Sequence, residues 1–555
     1  MASEDFRPLV AAALARGDKT VVIPPGTYRL APDGGGKCVW SVERARDVEI
    51  VAEGVTLVST RLTRAVAFNG CTDVTLRGLT VDYDPLPFTQ GTVIAVDGAS
   101  GWIDVKLHAG YPRQPYSRID VIDPVTRYRK RGMPFLWGTK AEMRGEDVVR
   151  VTLGGIGRTA AAGDLVSLSA GPDAGGIPHA LTLERCSAVT LQGVTVHSAP
   201  GMGILEYDGG GRTAYLACRV VSGPLPAGAQ EARLLSTSWD AMQTKTVRYG
   251  PRVEGCEIRE AGDDSWSVQS SDFMVLKAEG RTLVLASRDA FTVGVDVGDR
   301  LTTRLGGPEA SVATRRGLSR EEAALDPAIL TKLSEAPQWS AWKVSPRCIE
   351  VTLEKELPVA AGDSLYSPDR MGNGFVFRNN RVHSPGRVLI KASGTVADNL
   401  LDTPHALVVC PELPGTAAAG IDGLVIRGNT IRRAGWFCPA PWSSQAGAVS
   451  VTAGGGARQL RAAGVFANLR IEDNVFEDCV GPNVVVSSAR GVRVRGNRFE
   501  RPHHGKPSDT GASYGIAGDA VIWIAESEDV DVGDNTVNDP GPFLGNVVAG
   551  GVPRE

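Results

Sequence analysis

Short alternating runs recur along the chain. Leu424-Val-Ile-Arg-Gly-Asn-Thr-Ile431, Leu469-Arg-Ile-Glu-Asp-Asn-Val-Phe476, Val492-Arg-Val-Arg-Gly-Asn-Arg-Phe499 and Val530-Asp-Val-Gly-Asp-Asn-Thr-Val537 share one layout. Apolar residues fall at alternate positions, a Gly-Asn or Asp-Asn pair follows, and a second apolar pair closes the unit. Period-two alternation with β-branched residues is a strand signal. Asn tolerates the left-handed backbone of a sharp bend, so the chain is expected to turn a corner at each Asn.

Upstream, Cys71-Thr-Asp-Val-Thr-Leu-Arg-Gly-Leu-Thr-Val81 and Cys186-Ser-Ala-Val-Thr-Leu-Gln-Gly-Val-Thr-Val196 match almost position for position. Asn474 and Asn497 are 23 residues apart, about one coil of a solenoid, and the gaps of 45 (Asn429 to Asn474) and 38 (Asn497 to Asn535) suit two coils or one with an inserted loop. One such unit cannot bury its apolar face, whereas stacked units share a continuous core. The pattern predicts an all-β protein, a right-handed parallel β-helix.

At the N-terminus, Phe6-Arg-Pro-Leu-Val-Ala-Ala-Ala-Leu-Ala-Arg16 reads as a short amphipathic helix that caps the first coil, followed by the strand and turn Val21-Val-Ile-Pro-Pro-Gly-Thr-Tyr28. Two stretches lack the Gly-Asn corner but carry their own alternating strands, such as Gly91-Thr-Val-Ile-Ala-Val96 and Thr282-Leu-Val-Leu285. The expected division is a cap with first coils (1–89), an inserted β-barrel-like module (90–180), coils (181–270), a second inserted module (271–371) and C-terminal coils (372–555). The inserted modules are expected to wall a cleft.

Composition agrees with this picture. Of 555 residues 66 are Gly and 34 Pro while only 22% are charged, which argues against a helical, coiled-coil or disordered chain. A net charge of −4 supplies no basic field for a polyanion, so nucleic acid is not expected as a partner. No run approaches the roughly 20 apolar residues of a membrane span, and a soluble protein with no membrane partner is expected. The start, Met1-Ala-Ser-Glu-Asp-Phe6, lacks the features of a secretory signal, which leaves a cytoplasmic protein or a secreted one with its signal removed. Nine scattered Cys without a CxxC suggest buried free thiols rather than a zinc site or disulfide framework. His503-His504 lacks a third ligand at metal spacing and reads as surface loop. No metal or cofactor is called for, and a homodimer is left open.

The candidate chemistry lies between the two insertions. Asp240 ends Ser236-Thr-Ser-Trp-Asp240, and Asp263 and Asp264 follow 23 and 24 residues later, so one coil separates them and the three carboxylates are expected on one patch. Crowding like charges separates carboxyl pKa values, as general acid and base on opposite sides of a glycosidic bond require. Trp239 and Trp266 flank the patch and could stack on a sugar face. A calcium site is the other functional reading of an acidic cluster.

Further candidate substrate contacts are Asp82 and Asp84 in a turn, Glu206 and Asp208 after the Gly-rich corner, Arg387 and Lys391 at alternate strand positions facing one side, and Glu412 and Trp442 on loops outside the repeat. No nucleophile elbow with triad partners and no phosphate-binding Gly loop is present.

The spacing of Asp240 with Asp263-Asp264 resembles the three-aspartate arrangement of β-helical polygalacturonases, and Arg387-Val-Leu-Ile-Lys391 is similar to their Arg-Ile-Lys element. Thr80-Val-Asp-Tyr-Asp-Pro-Leu-Pro-Phe-Thr-Gln-Gly91, Gly201-Met-Gly-Ile204, the Ser236-Thr-Ser-Trp-Asp240 segment, the Asp-Asp pair and the two insertions together resemble glycoside hydrolase family 110, the α-1,3-galactosidases, over roughly residues 5 to 540. The resemblance implies a metal-independent, inverting exo-glycosidase that cleaves a terminal α-linked galactose. Asp240, Asp263 and Asp264 would match its catalytic aspartates. By analogy with the polygalacturonases, Asp263 would protonate the leaving oxygen while Asp240 and Asp264 position and deprotonate water. Trp239-Asp-Ala-Met-Gln243 and Asp263-Asp-Ser-Trp-Ser-Val-Gln-Ser270 depart from the family by lacking its His and Asn residues. A β-helical polysaccharide lyase or epimerase and a non-catalytic carbohydrate-binding solenoid are the alternatives; carbohydrate is the partner in every case.

Overall fold

The computed structural model describes residues 5–133, 140–154, 156–169, 178–287, 294–319, 321–323, 327–328, 331, 348–411, 420–437, 442–454, 458–508 and 510–550. The chain winds as a right-handed parallel β-helix. Three sheets run its length: one of 13 strands starting at Thr20–Val22, one of 12 starting at Gly26–Leu30 and one of 12 starting at Cys38–Glu43. We call them the first, second and third sheets. Each coil contributes a strand to each, and the apolar residues that face inward form one continuous core from Phe6 to Ile524.

The N-terminal helix Arg7–Arg16 ends at Gly17, whose φ of 78° is the left-handed cap that glycine favours. It closes the first coil through Phe6, which meets Tyr28 and Trp40 edge-on at 5.1 and 5.0 Å.

The corners differ from expectation in one respect. The left-handed residue is the one before the Asn: Gly428, Asp473, Gly496 and Asp534 have φ between 54° and 64°. The Asn side chains turn inward and form a ladder. Asn380, Asn399, Asn429, Asn474 and Asn497 each donate from Nδ2 to Oδ1 of the next, at 2.8–3.0 Å, ending on Asn535. Buried amides are stable only when bonded, and each coil supplies the partner of its neighbour. Cys218 and Cys256 take this corner position in earlier coils, and Cys256 N–H donates to Asn380 Oδ1 at 2.9 Å.

Two units leave the solenoid. The first is a six-stranded antiparallel sheet from Phe88–Asp97 to Leu165–Ser169, with its own core around Val105, Val149 and Leu168. The second is a closed six-stranded barrel from Asp272–Glu279 to Ser364–Tyr366. The coil resumes in register across the barrel, since Trp266–Gln269 pairs directly with Val388–Ile390. Eight cysteines lie among the described residues, seven of them buried; Cys438 lies outside. His503 is buried, contrary to the surface-loop reading, and hydrogen-bonds the Ala520 carbonyl at 3.2 Å. No helix among the described residues is long and apolar enough to cross a membrane.

Candidate active site

The site is built where successive coils enter the third sheet. Met242–Lys245 pairs in parallel with Trp266–Gln269, Met242 opposite Trp266, and the bridge Thr237 to Ala261 keeps the same offset before the strands. Asp240 and Asp264 therefore occupy the same place on adjacent coils, joined by the Ala241 N–H to Asp264 carbonyl bond of 2.9 Å. One strand spacing, about 4.8 Å, separates their backbones. Asp263 sits one residue earlier on the same turn.

Each carboxylate has a defined neighbour. Gln243 donates to Asp240 Oδ2 at 2.9 Å, and Arg387 Nε donates to Asp264 Oδ1 at 2.9 Å. Asp263 receives Arg118 at 3.2 Å and keeps the more open side chain, 19% exposed against 12% for Asp264. The turns are packed too tightly for side chains at two glycines. A Cβ on Gly386 would lie 1.7 Å from the Asp263 carbonyl oxygen, and one on Gly262 would lie 2.6 Å from that of Ser238.

Residues the sequence reading did not single out complete the site. The other arm of Arg387 bonds the Gln445 side chain, and His405 donates from Nε2 to the Gln445 carbonyl at 2.7 Å. Burial, aided by the charge of Arg387, pushes the His405 imidazole down to about 3, so it is neutral at ordinary pH. His179, one coil above Met202, is likewise pushed down to about 3 by burial and accepts the Met202 N–H at 3.1 Å. Arg118 arrives from the first inserted unit. Among the described residues no group of three or more His, Cys, Asp or Glu has the geometry to hold a metal ion.

The remaining candidates fall into three groups. Trp239 stays beside the aspartates, half-buried against Met202, Leu205 and Tyr207. Trp442 begins the short turn to Gln445, whose N–H bonds the Trp442 carbonyl at 2.8 Å. Lys391 is on the same outward face as Arg387 but buried, four residues along the strand, about 13 Å away by strand rise. Glu412 lies outside the described residues.

Five candidates are corrected. Trp266 faces the solenoid interior, fully buried and stacked on Phe377 at 4.8 Å, so no sugar reaches it. Glu206 also faces inward, accepting hydrogen bonds from Thr213, Tyr215 and Thr244. Burial raises its carboxyl to about 7. Asp208 follows the strand Ile204–Tyr207 and bonds Thr246 at 2.9 Å, whereas Asp240 precedes the adjacent strand. Six residues of extended chain, about 20 Å, separate Asp240 from Thr246. Asp84 is exposed and paired with Arg29 at 2.6 Å, away from the cluster. Asp82 is held by both arms of Arg233, at 2.9 and 3.0 Å, and by Ser198, so its carboxylate fastens a loop.

No family model matches the chain, and no curated protein matches it. Several solved structures are similar to it at low identity and low TM-score. The mannuronan C-5 epimerase AlgE6 A-module of Azotobacter vinelandii is 12% identical with a TM-score of 0.37, covering 100% of this chain and 97% of that one. The Yersinia enterocolitica family 28 exopolygalacturonase is 10% identical with a TM-score of 0.36, covering 97% and 73%. The catalytic domain of a GH87 α-1,3-glucanase in complex with nigerose is 9% identical with a TM-score of 0.35, covering 98% and 69%.

Proposed function

We propose that this protein is a carbohydrate-active enzyme that hydrolyses a terminal α-linked sugar with inversion, α-galactosides being the first substrates to try. The observation that carries the reading is the registered placement of Asp240 and Asp264 on adjacent coils with Asp263 beside them. Asp263, more open than Asp264, donates its proton to the glycosidic oxygen as the bond to the anomeric carbon breaks. Water attacks that carbon from the opposite face, and Asp240 or Asp264 takes its proton. Arg387, 2.9 Å from Asp264, holds that carboxylate in place beside the attacking water. Trp239 and Trp442 offer apolar walls for the sugar rings. The resemblance to family 110 supports the choice of α-galactose, and the missing His and Asn leave recognition of its hydroxyls to other side chains.

Hydrolysis of a panel of nitrophenyl glycosides, with the released anomer read by proton NMR, tests this. Release of the inverted sugar supports it; a retained anomer overturns the mechanism, and no release from any member overturns the hydrolase.

A second reading, a lyase or epimerase acting on uronic acids, is favoured by Arg387 beside Asp264, because a guanidinium there can also neutralise a sugar carboxylate. Ultraviolet-absorbing unsaturated product or C-5 inversion from a uronate polymer would select it.

A further inference from the structure

We propose that Arg118, contributed by the first inserted unit, is a positioning residue for the aspartate cluster; the inference rests on the hydrolytic reading above. Arg118 opens the strand Arg118–Ile122 of the inserted sheet, and its side chain is only 5% exposed. One arm of the guanidinium donates to the Ser238 carbonyl and the other to the Gly262 carbonyl. The second arm also meets Asp263 Oδ2 at 3.2 Å.

Those acceptors define the role. Ser238 and Gly262 stand at the same offset of 24 residues that relates Asp240 to Asp264, so the fork spans two neighbouring coils immediately before the carboxylates. A buried guanidinium is tolerated only when its donors are used, and here the acceptors belong to the turns that carry the chemistry. The contact with the carboxylate is longer than the roughly 2.7–2.9 Å of a tight charge-assisted bond. Arg118 thus holds the turn chiefly by its backbone and orients Asp263 without engaging it tightly, which leaves the carboxyl free for proton transfer. Lysine offers one compact ammonium and cannot span both carbonyls in this way. The inserted unit, on this view, completes the site rather than merely walling it.

The test compares the parent with R118Q, R118K and R118A on the best nitrophenyl glycoside. A positioning role predicts kcat lower by about 100-fold in R118Q with KM changed less than threefold, as expected for misplaced catalytic groups. It also predicts partial recovery in R118K and rescue of R118A by added guanidinium ion at a concentration that leaves the parent unaffected. Unchanged kcat, or a loss that guanidinium does not rescue and that follows the unfolded fraction, overturns the proposal. R118K keeps the stem and charge, so the comparison survives if R118Q fails to fold. Should the parent hydrolyse no glycoside, the hydrolytic reading fails separately, and the placement is read from the 13C carboxyl resonance of Asp263 at fixed pH. A resonance displaced in R118K supports the contact, and an unmoved one overturns it.

Discussion

Arg387 joins two coils of the site: its Nε holds Asp264 at 2.9 Å while its other arm reaches the side chain of Gln445. The guanidinium is nearly buried, and so is its carboxylate, so removing either partner strands the other. R387M should lower kcat/KM by 100-fold or more, and R387K should recover only part, because a single ammonium cannot reproduce the fork. Steady-state kinetics on the best glycoside checks this; a variant within a few-fold of the parent removes Arg387 from the mechanism.

D263N keeps the shape of the side chain and removes its proton-donating capacity. Hydrolysis of glycosides with poor leaving groups should fall by about 1,000-fold, and that of activated aryl glycosides much less, because the latter need little protonation. A uniform loss across leaving groups would assign the acid to another carboxyl.

Gly386 has no room for a methyl group, with backbone atoms of Asp263 and Asp264 at 1.7–2.9 Å from where its Cβ would stand. G386A should displace the aspartate turn, costing about 1–3 kcal/mol of stability and most of the activity. Thermal unfolding and kcat measured together check it; parent-like values in both would contradict the close approach.

Glu206 gives the fold a pH dependence of defined sign. Its carboxyl rises from 4.5 to about 7 on burial, so the folded state binds the proton more tightly than the unfolded state. The contribution is complete below about pH 4.5 and is lost as pH rises through about 7, amounting to about 3 kcal/mol. E206Q should remove it. Buried neutral His179 and His405 act in the opposite sense, losing stability as pH falls, and are common to both proteins. The parent-minus-variant difference in urea unfolding at pH 5 and pH 8 therefore isolates Glu206; no change in that difference between the two pH values would refute its burial as a neutral acid.

The asparagine ladder should be costly to interrupt. Asn474 donates to the Ile426 carbonyl and to Asn497, and accepts from the backbone and side chain of Asn429, each at 3.0 Å. N474A leaves these groups buried without partners and should destabilise by about 3–5 kcal/mol. Unfolding within 1 kcal/mol of the parent would show that water replaces the amide.

Much of this architecture was legible in the amino-acid order. The Gly-Asn units announced coils, and the 24-residue interval from Asp240 to Asp264 already implied that the two would meet, because a solenoid converts sequence period into lateral contact. The order could not say which way side chains pointed where both faces of a strand are covered. Ile204-Leu-Glu-Tyr207 is buried throughout and shows no clean alternation, so only the donors on Thr213, Tyr215 and Thr244 decide that Glu206 faces the interior. Trp266 is decided in the same way by Phe375 and Phe377 across the core. Arg118 had no local signal at all, standing 145 residues before Asp263 in a unit outside the repeat. Its place at the aspartates follows from how the inserted sheet packs on the helix, and that packing is a property of the folded chain.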